Sequence, residues 1–211
     1  MINKIDHFAI GARDLASGQQ AFEAATGIHV SMGSKHDAMS THNFVCQAGN
    51  ESFFELIAID PDAPHPGRVR WFTLDDPKTQ ARLNERPRAL VWVVNTTDLD
   101  AVVAASPIDL GEIVHFKRGD RTWRLAVPKD GHLPEGGTVP SFIEWSPGPH
   151  PSAGQQALGL ELTQVSLSHP DPEYLSGILK ALKVDHLASI SQGALGLSFD
   201  LSTPKGKVTI D

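Results

Sequence analysis

A chain of 211 residues is long enough for one large domain or two small fused modules, and 40% hydrophobic with 20% charged residues is an ordinary globular composition. With 18 basic against 25 acidic residues the net charge is -7 and no basic run exists. That argues against a nucleic-acid surface, which needs clustered Lys and Arg to neutralise phosphates.

No apolar run approaches the ~20 residues that span a bilayer. The opening Met1-Ile2-Asn3-Lys4-Ile5-Asp6-His7 has no basic n-region followed by an apolar stretch, so no signal peptide is predicted and the cytoplasm is the expected location. The lone cysteine, Cys46, suits a reducing compartment and reads as a buried small hydrophobe rather than a nucleophile.

Along the chain, Ile5–Ile10 reads as a strand bounded by Gly11. Asp14 is a predicted N-cap, and Leu15, Phe22 and Ala25 follow at helical spacing until Gly27. Strands are predicted over Ile28–Met32, Asn43–Gln47 and Ser52–Ile59. Pro61, Pro64, Pro66 and Gly67 break the pattern, and Asp75–Glu85 reads as a short connecting helix.

The first pattern then returns. Ala89–Val94 is a predicted strand, Asp98–Ala105 a helix, and Gly111–Phe116 and Arg121–Val127 two strands. A Gly/Pro-rich loop over Asp130–Pro140 leads to a strand at Ser141–Trp145. A weaker copy follows: strand Leu160–Leu167, helix Asp171–Leu182, then strands Leu187–Ile190, Leu195–Leu201 and Lys207–Ile210. The predicted fold is α+β, with repeated βαβββ modules forming paired curved mixed sheets around a cavity. Residues 1–60 make the first module, 61–88 a connector, 89–150 the second, and 151–211 a third, degenerate one.

The repeat sets residues opposite one another. Counting back seven places from Asp14 and from Asp98 puts His7 opposite Val91, and matching Phe53-Phe54-Glu55-Leu56 to Phe142-Ile143-Glu144-Trp145 puts Glu55 opposite Glu144. Strand alternation then places His7, Glu55 and Glu144 on cavity-facing positions. A carboxylate among aromatics is costly to bury unless paired or bound to a cation. One imidazole and two carboxylates suit a divalent Zn, Ni, Fe or Mn, although each residue alone also reads as a hydrogen-bonded or solvated strand residue.

The segment His36 to Asn43 reads as a Gly-bounded loop, with His36, Thr41, His42 and Asn43 placed to contact a ligand, or else as an exposed turn. His150, in Pro-Gly-Pro-His-Pro, reads as surface, the other reading being a residue that closes the cavity. His29, His65, His115, His132 and His186 show no ligand spacing and are predicted at the surface. Trp71, Trp92, Trp123 and Trp145 read as core or cavity wall.

Gly33-Ser34-Lys35-His36, Ser40-Thr41-His42-Asn43, Phe54-Glu55-Leu56-Ile57, Phe142-Ile143-Glu144-Trp145, His150-Pro151 and the ending Ser202-Thr203-Pro204-Lys205-Gly206 together resemble the glyoxalase-like domain family of the vicinal-oxygen-chelate superfamily. The resemblance covers nearly the whole chain. It implies a metal on the floor of a cavity between curved sheets, held by His7, Glu55 and Glu144, with Val91 standing where a fourth ligand is expected. It further implies a lyase- or isomerase-type enzyme acting on a small carbonyl compound, in which Glu144 is the base and the metal stabilises an enediolate.

Two other functions stay open: a metal-free binding or sequestering protein, favoured by Val91, and an extradiol-type dioxygenase, which wants two histidines and one carboxylate. The expected partner is a small-molecule substrate, with self-association into a homodimer left open, and neither nucleic acid nor a membrane.

Overall fold

A computed structural model describes residues 3–49 and 51–211. The reading of the chain's start as free of a signal peptide rests partly on Met1 and Ile2, which lie outside the described residues. Among the described residues no helix is long and apolar enough to cross a membrane.

The first module is β1 (Lys4–Gly11), α1 (Leu15–Thr26), β2 (Gly33–His36), β3 (Thr41–Gln47) and β4 (Phe53–Ile59). A helix α2 (Pro77–Glu85) lies in the connector. The second module is β5 (Arg88–Asn95), α3 (Leu99–Ala105), β6 (Glu112–Arg118), β7 (Arg121–Val127) and β8 (Ser141–Trp145). One eight-stranded mixed sheet runs β2-β3-β4-β1-β5-β8-β7-β6. In each module the first and last strands pair in parallel, and β1 against β5 joins the modules antiparallel at the centre.

Asp14 caps its helix as predicted, and the aspartates that open two further predicted helices do the same. Asp14 accepts the Ser17 N–H at 2.7 Å, Asp98 that of Ala101 at 3.0 Å, and Asp171 that of Tyr174 at 3.0 Å. Each satisfies an N–H that a first helical turn leaves unpaired. Gly27 ends α1 in the left-handed region, at φ 77°.

The last segment contains β9 (Glu161–His169), α4 (Pro172–Ala181), β10 (Ser189–Gln192), β11 (Gly196–Thr203) and β12 (Gly206–Ile210). Its element order repeats the other modules, but its pairing does not. The four-stranded sheet runs β10-β9-β11-β12, with β9 and β10 parallel, so the first strand pairs with the second rather than with the last. This sheet covers the side of the large sheet that also carries α1. Phe8, Phe54, Trp92, Val94 and Phe142 form a core there with Val165, Leu167, Phe199 and Leu201.

Alternation sends the intervening residues the other way. Ala9, Ile57, Val91, Val93 and Ile143 pack with Trp71, Phe72, Phe116, Trp123 and Leu125 around a cavity on the opposite face.

One predicted strand falls elsewhere. Ile28 and Val30 are buried against α1 as irregular chain, with the Val30 N–H donating to Gln19 Oε1 at 3.1 Å. The pairing strand is Gly33–His36, hydrogen-bonded to β3. An apolar, β-branched run marks burial here and not a ladder, because a side chain has taken its backbone donor. Cys46 is buried as expected, and burial pushes its thiol up to about 12.

Candidate functional site

β1 supplies two consecutive residues to one site. His7 faces the cavity by alternation, which would send Asp6 to the other side, but the register with β5 shifts between Ile5 and His7. Such a bulge re-aims a side chain. Asp6 Oδ1 accepts from His7 Nδ1 at 2.6 Å. Its Oδ2 accepts from Trp145 Nε1 at 2.7 Å, Asn95 Nδ2 at 3.0 Å and His150 Nε2 at 3.0 Å.

Burial pushes the Asp6 carboxyl up, yet the hydrogen bonds from His150 and His7 outweigh it and hold the group well below the ordinary carboxylate range. The anion accepts the Nδ1 proton of His7 and holds the ring with Nε2 facing the cavity. The imidazole is held further by stacking on Phe53, centroids 4.5 Å apart.

The β2–β3 hairpin supplies the next group. Gly33 lies so close to β3 that a Cβ there would sit 1.9 Å from the Asn43 carbonyl oxygen, so only glycine allows the approach. Asn43 Oδ1 accepts from the Ser34 backbone N–H at 3.0 Å, which fixes the amide's orientation. Its Nδ2 donates to Glu55 Oε1 at 2.6 Å and points to His36 Nε2 at 3.4 Å. His36 Nε2 is therefore the acceptor, and Nδ1–H donates to Thr41 Oγ1 at 3.1 Å. Burial drives the His36 imidazole down to about 4, so it is neutral at pH 7.

Glu55 stands between these groups. One oxygen is tied to Asn43; the other lies 3.7 Å from His7 Nε2, beyond hydrogen-bond length. Glu55 is 4% and His7 6% exposed, so the two form a nearly buried acid–base pair that stops short of bonding itself.

The cavity above them has a free interior of about 60 Å³, with Phe53, Trp71, Phe72, Trp123 and Trp145 among its walls and Arg118 at its rim. The connector contributes Trp71 and Phe72, whose rings stack with centroids 4.9 Å apart. Phe72 and Thr73 hold positive φ, 59° and 56°, a backbone state costing on the order of 1–3 kcal/mol per residue. The bidentate brace from Arg70, through its N–H and its guanidinium, to Asp75 at 2.7 Å holds that turn.

His7, Glu55, His36 and Asn43 thus come together, with Thr41 behind His36. Glu144 does not join them. It lies on the helix side of β8, where Oε2 accepts the Leu99 N–H at 2.7 Å and pairs with Arg124 at 2.7 Å. The reason is register. Ala9 and Val93, each five places before its helix cap, pair with Glu55 and Ser141 respectively, so Ser141 occupies the position equivalent to Glu55. The sequence match of Glu55 with Glu144 is three residues out, and an odd slip moves a side chain to the other face.

His42 is also turned away. It alternates with Thr41 and Asn43, pairs with Lys35 and Ala58, and is absent from the cavity wall.

The residues present do not fit the expected metal. An ion bound at ~2.0–2.2 Å brings its donors to about 3.0–3.5 Å from one another. The cavity's donors are His7 Nε2, Glu55 and His36 Nε2, separated by 3.7 and 4.0 Å across Glu55. Asn43 Nδ2, itself a proton donor, occupies the place where an ion would join Glu55 to His36. Among the described residues no group of three or more His, Cys, Asp or Glu could hold a metal ion. The set His7, Glu55 and Glu144 fails because Glu144 faces the other side.

Three residues of the site escape sequence reading. Asp6 is hidden because alternation assigns it to the far face. His150 is read as surface, yet its side chain is 9% exposed and bonded to Asp6. Arg118 carries no signal beyond its place at a hairpin end. The five histidines read as surface, His29, His65, His115, His132 and His186, are exposed. Trp92 is fully buried in the helix-side core, while the other three tryptophans line the cavity.

The glyoxalase-like domain family matches residues 5–183. No curated protein sequence matches the chain. Among solved structures, a hypothetical protein from Staphylococcus aureus is similar with a TM-score of 0.58 at 14% identity, over 99% of this chain and 84% of that one. Methylmalonyl-CoA epimerase from Mycobacterium tuberculosis gives a TM-score of 0.44 at 17% identity, over 72% of this chain and 92% of that one. The first of these likenesses is of fold.

Proposed function

The chain belongs to the glyoxalase-like domain family, and from that premise we propose that its cavity is the active site of a lyase- or isomerase-type enzyme moving a proton next to the carbonyl of a small substrate. The observation that carries this reading is the 3.7 Å gap between His7 Nε2 and Glu55 Oε2 at the floor of an aromatic cavity. Both atoms are oriented from behind, by Asp6 and by Asn43, and neither is consumed by the other.

In the reaction, Glu55 Oε2 takes the proton from the carbon beside the carbonyl. His7, in the form that carries Nε2–H beside the Nδ1–H held by Asp6, gives its Nε2 proton to the oxygen that gains charge, so that an enediol forms. Glu55 then returns its proton to the neighbouring carbon while His7 Nε2 takes one back from the hydroxyl that becomes the new carbonyl, so both groups end as they began. The aromatic walls lower the local dielectric around the pair, which strengthens both interactions. No step needs a bound ion.

The test is deuterium incorporation. With 2-oxoaldehydes, 2-hydroxyketones and their thiol adducts in heavy water, proton NMR should show exchange at the carbon beside the carbonyl. Glu55→Gln should reduce it by ~10²–10⁴ while the fold is kept. Exchange that survives this substitution at full rate would sink the assignment.

A second reading, a binding or sequestering protein, is favoured by Val91 and Ser141, which leave the second module without an ionisable group opposite His7 and Glu55. It predicts ligand binding without exchange in the same experiment.

A further inference from the structure

The cavity mouth opens into a second depression of about 330 Å³, and Arg118, Trp145 and Pro151 line both spaces. A molecule held in the inner cavity can therefore extend into this vestibule. Its other walls include Asp120, Arg121 and Pro147.

The two arginines are placed against the interest of the fold. Arg118 and Arg121 are the directly opposed residues that close the β6–β7 hairpin around Gly119-Asp120. Like charges directly opposite each other destabilise a strand pair. Elsewhere in the chain Arg13, Arg68, Arg70, Arg86, Arg88 and Arg124 each face a carboxylate. Arg118 and Arg121, like Arg82, make no salt bridge among the described residues, although Asp120 stands between the first two and the chain carries a net charge of -7; the Glu55 carboxylate on the cavity floor acts on Arg118 through space.

Instead each guanidinium lies over a tryptophan of the cavity wall. Arg118 is 5.5 Å from the Trp123 ring centre and Arg121 is 5.7 Å from that of Trp145. The two rings are 5.3 Å apart. Arg118 is fixed further by a hydrogen bond to Ser34 Oγ, the hydroxyl that also donates to Asn43. Stacking holds a guanidinium flat and leaves its N–H edge free for an anion.

We propose that this pair recognises an anionic group, a carboxylate or a phosphate, on the molecule whose carbonyl enters the inner cavity. The substrate class is then a carbonyl compound whose charge sits away from the reacting carbon, with an apolar stretch against Trp123 and Trp145 between the two ends. This rests on the proposed function for the carbonyl end and stands apart from it for the anionic end. An anion relieves the repulsion that the hairpin otherwise carries, which accounts for a pair of like charges at its tip.

Calorimetric titration with three probes tests this: 4-acetylbenzoate, 4-acetylphenyl phosphate and the neutral 4-acetylbenzamide. At least one anion is expected to bind the wild type about tenfold or more tightly than the amide, as charge-assisted pairing implies. The tighter anion tells carboxylate from phosphate. The double variant Arg118→Gln, Arg121→Gln should lose the preference, binding anions and amide alike, while its circular dichroism shows that it is folded.

Equal binding of all three by the wild type, no binding of either anion, or a preference that survives in the double variant would each overturn the proposal. Glu55→Gln separates the two readings. It should abolish deuterium exchange and keep the anion preference, so loss of either result points to the part that is wrong.

Discussion

Asp6 and His7 are neighbours in one strand, yet their side chains meet at 2.6 Å between Oδ1 and Nδ1. A regular strand would hold them on opposite faces. The shift of register in β1 turns Asp6 toward the site, where Asn95, Trp145 and His150 also donate to it. Residues from both halves of the large sheet, and from the segment after β8, thereby converge on one buried anion.

That convergence predicts a specific acid sensitivity. The folded-state pKa of Asp6 is lowered, so its stabilising contribution is present above the ordinary value of 3.8 and is lost as pH falls below it. Asp6→Asn should cost about 2–3 kcal/mol at pH 7, since an amide cannot accept all the donors. Urea denaturation of both proteins between pH 7 and about pH 2 is the check. The gap between them should narrow on acidification, and a constant gap would contradict the account.

His36 gives the opposite kind of titration. Burial lowers its pKa from 6.5 to about 4, so the unfolded chain binds the proton first, and stability should fall as pH drops from 6.5 toward 4. Its ring resonances should show no protonation between pH 8 and 5 by NMR. Titration near the ordinary histidine value would mean that the ring is not held by Asn43 and Thr41 as described.

The cavity should bind divalent ions poorly. Calorimetry with Zn, Ni and Mn is expected to show nothing tighter than about 10⁻⁵ M, because the amide of Asn43 holds the bridging position. Asn43→Asp replaces that donor with an anionic ligand between His36 and Glu55. It should raise Zn affinity by at least about tenfold. Nanomolar binding by the wild type would refute the hydrogen-bond network as the resting arrangement.

Glu144 should be structural. It ties the first turn of α3 to β7 through the Leu99 N–H and Arg124. Glu144→Gln is expected to cost about 1 kcal/mol in thermal or urea denaturation and to leave any exchange activity unchanged. A variant of normal stability that has lost its activity would return Glu144 to the site.

The order of strands and helices was legible in the chain because each helix start is local: an aspartate cap, then apolar residues at helical spacing. The equivalence of His7 with Val91 was legible for the same reason, since it is counted from two such caps. Glu55 could be placed on the cavity face by alternation within one strand.

What the sequence could not determine is which strand neighbours which, and with what slip. The register of β8 rests on pairing with β5, 48 residues away in the pairs Val93–Ser141 and Asn95–Ile143, and a slip of three residues is enough to put Glu144 in the wrong compartment. His36 was visible as a candidate, but only the hairpin beside Gly33 and the fixed amide of Asn43 make it a neutral acceptor. Asp6 was out of reach altogether. A bulge costs little in local terms and is selected by packing against distant partners, so its effect on which way one side chain points exists only in the folded protein.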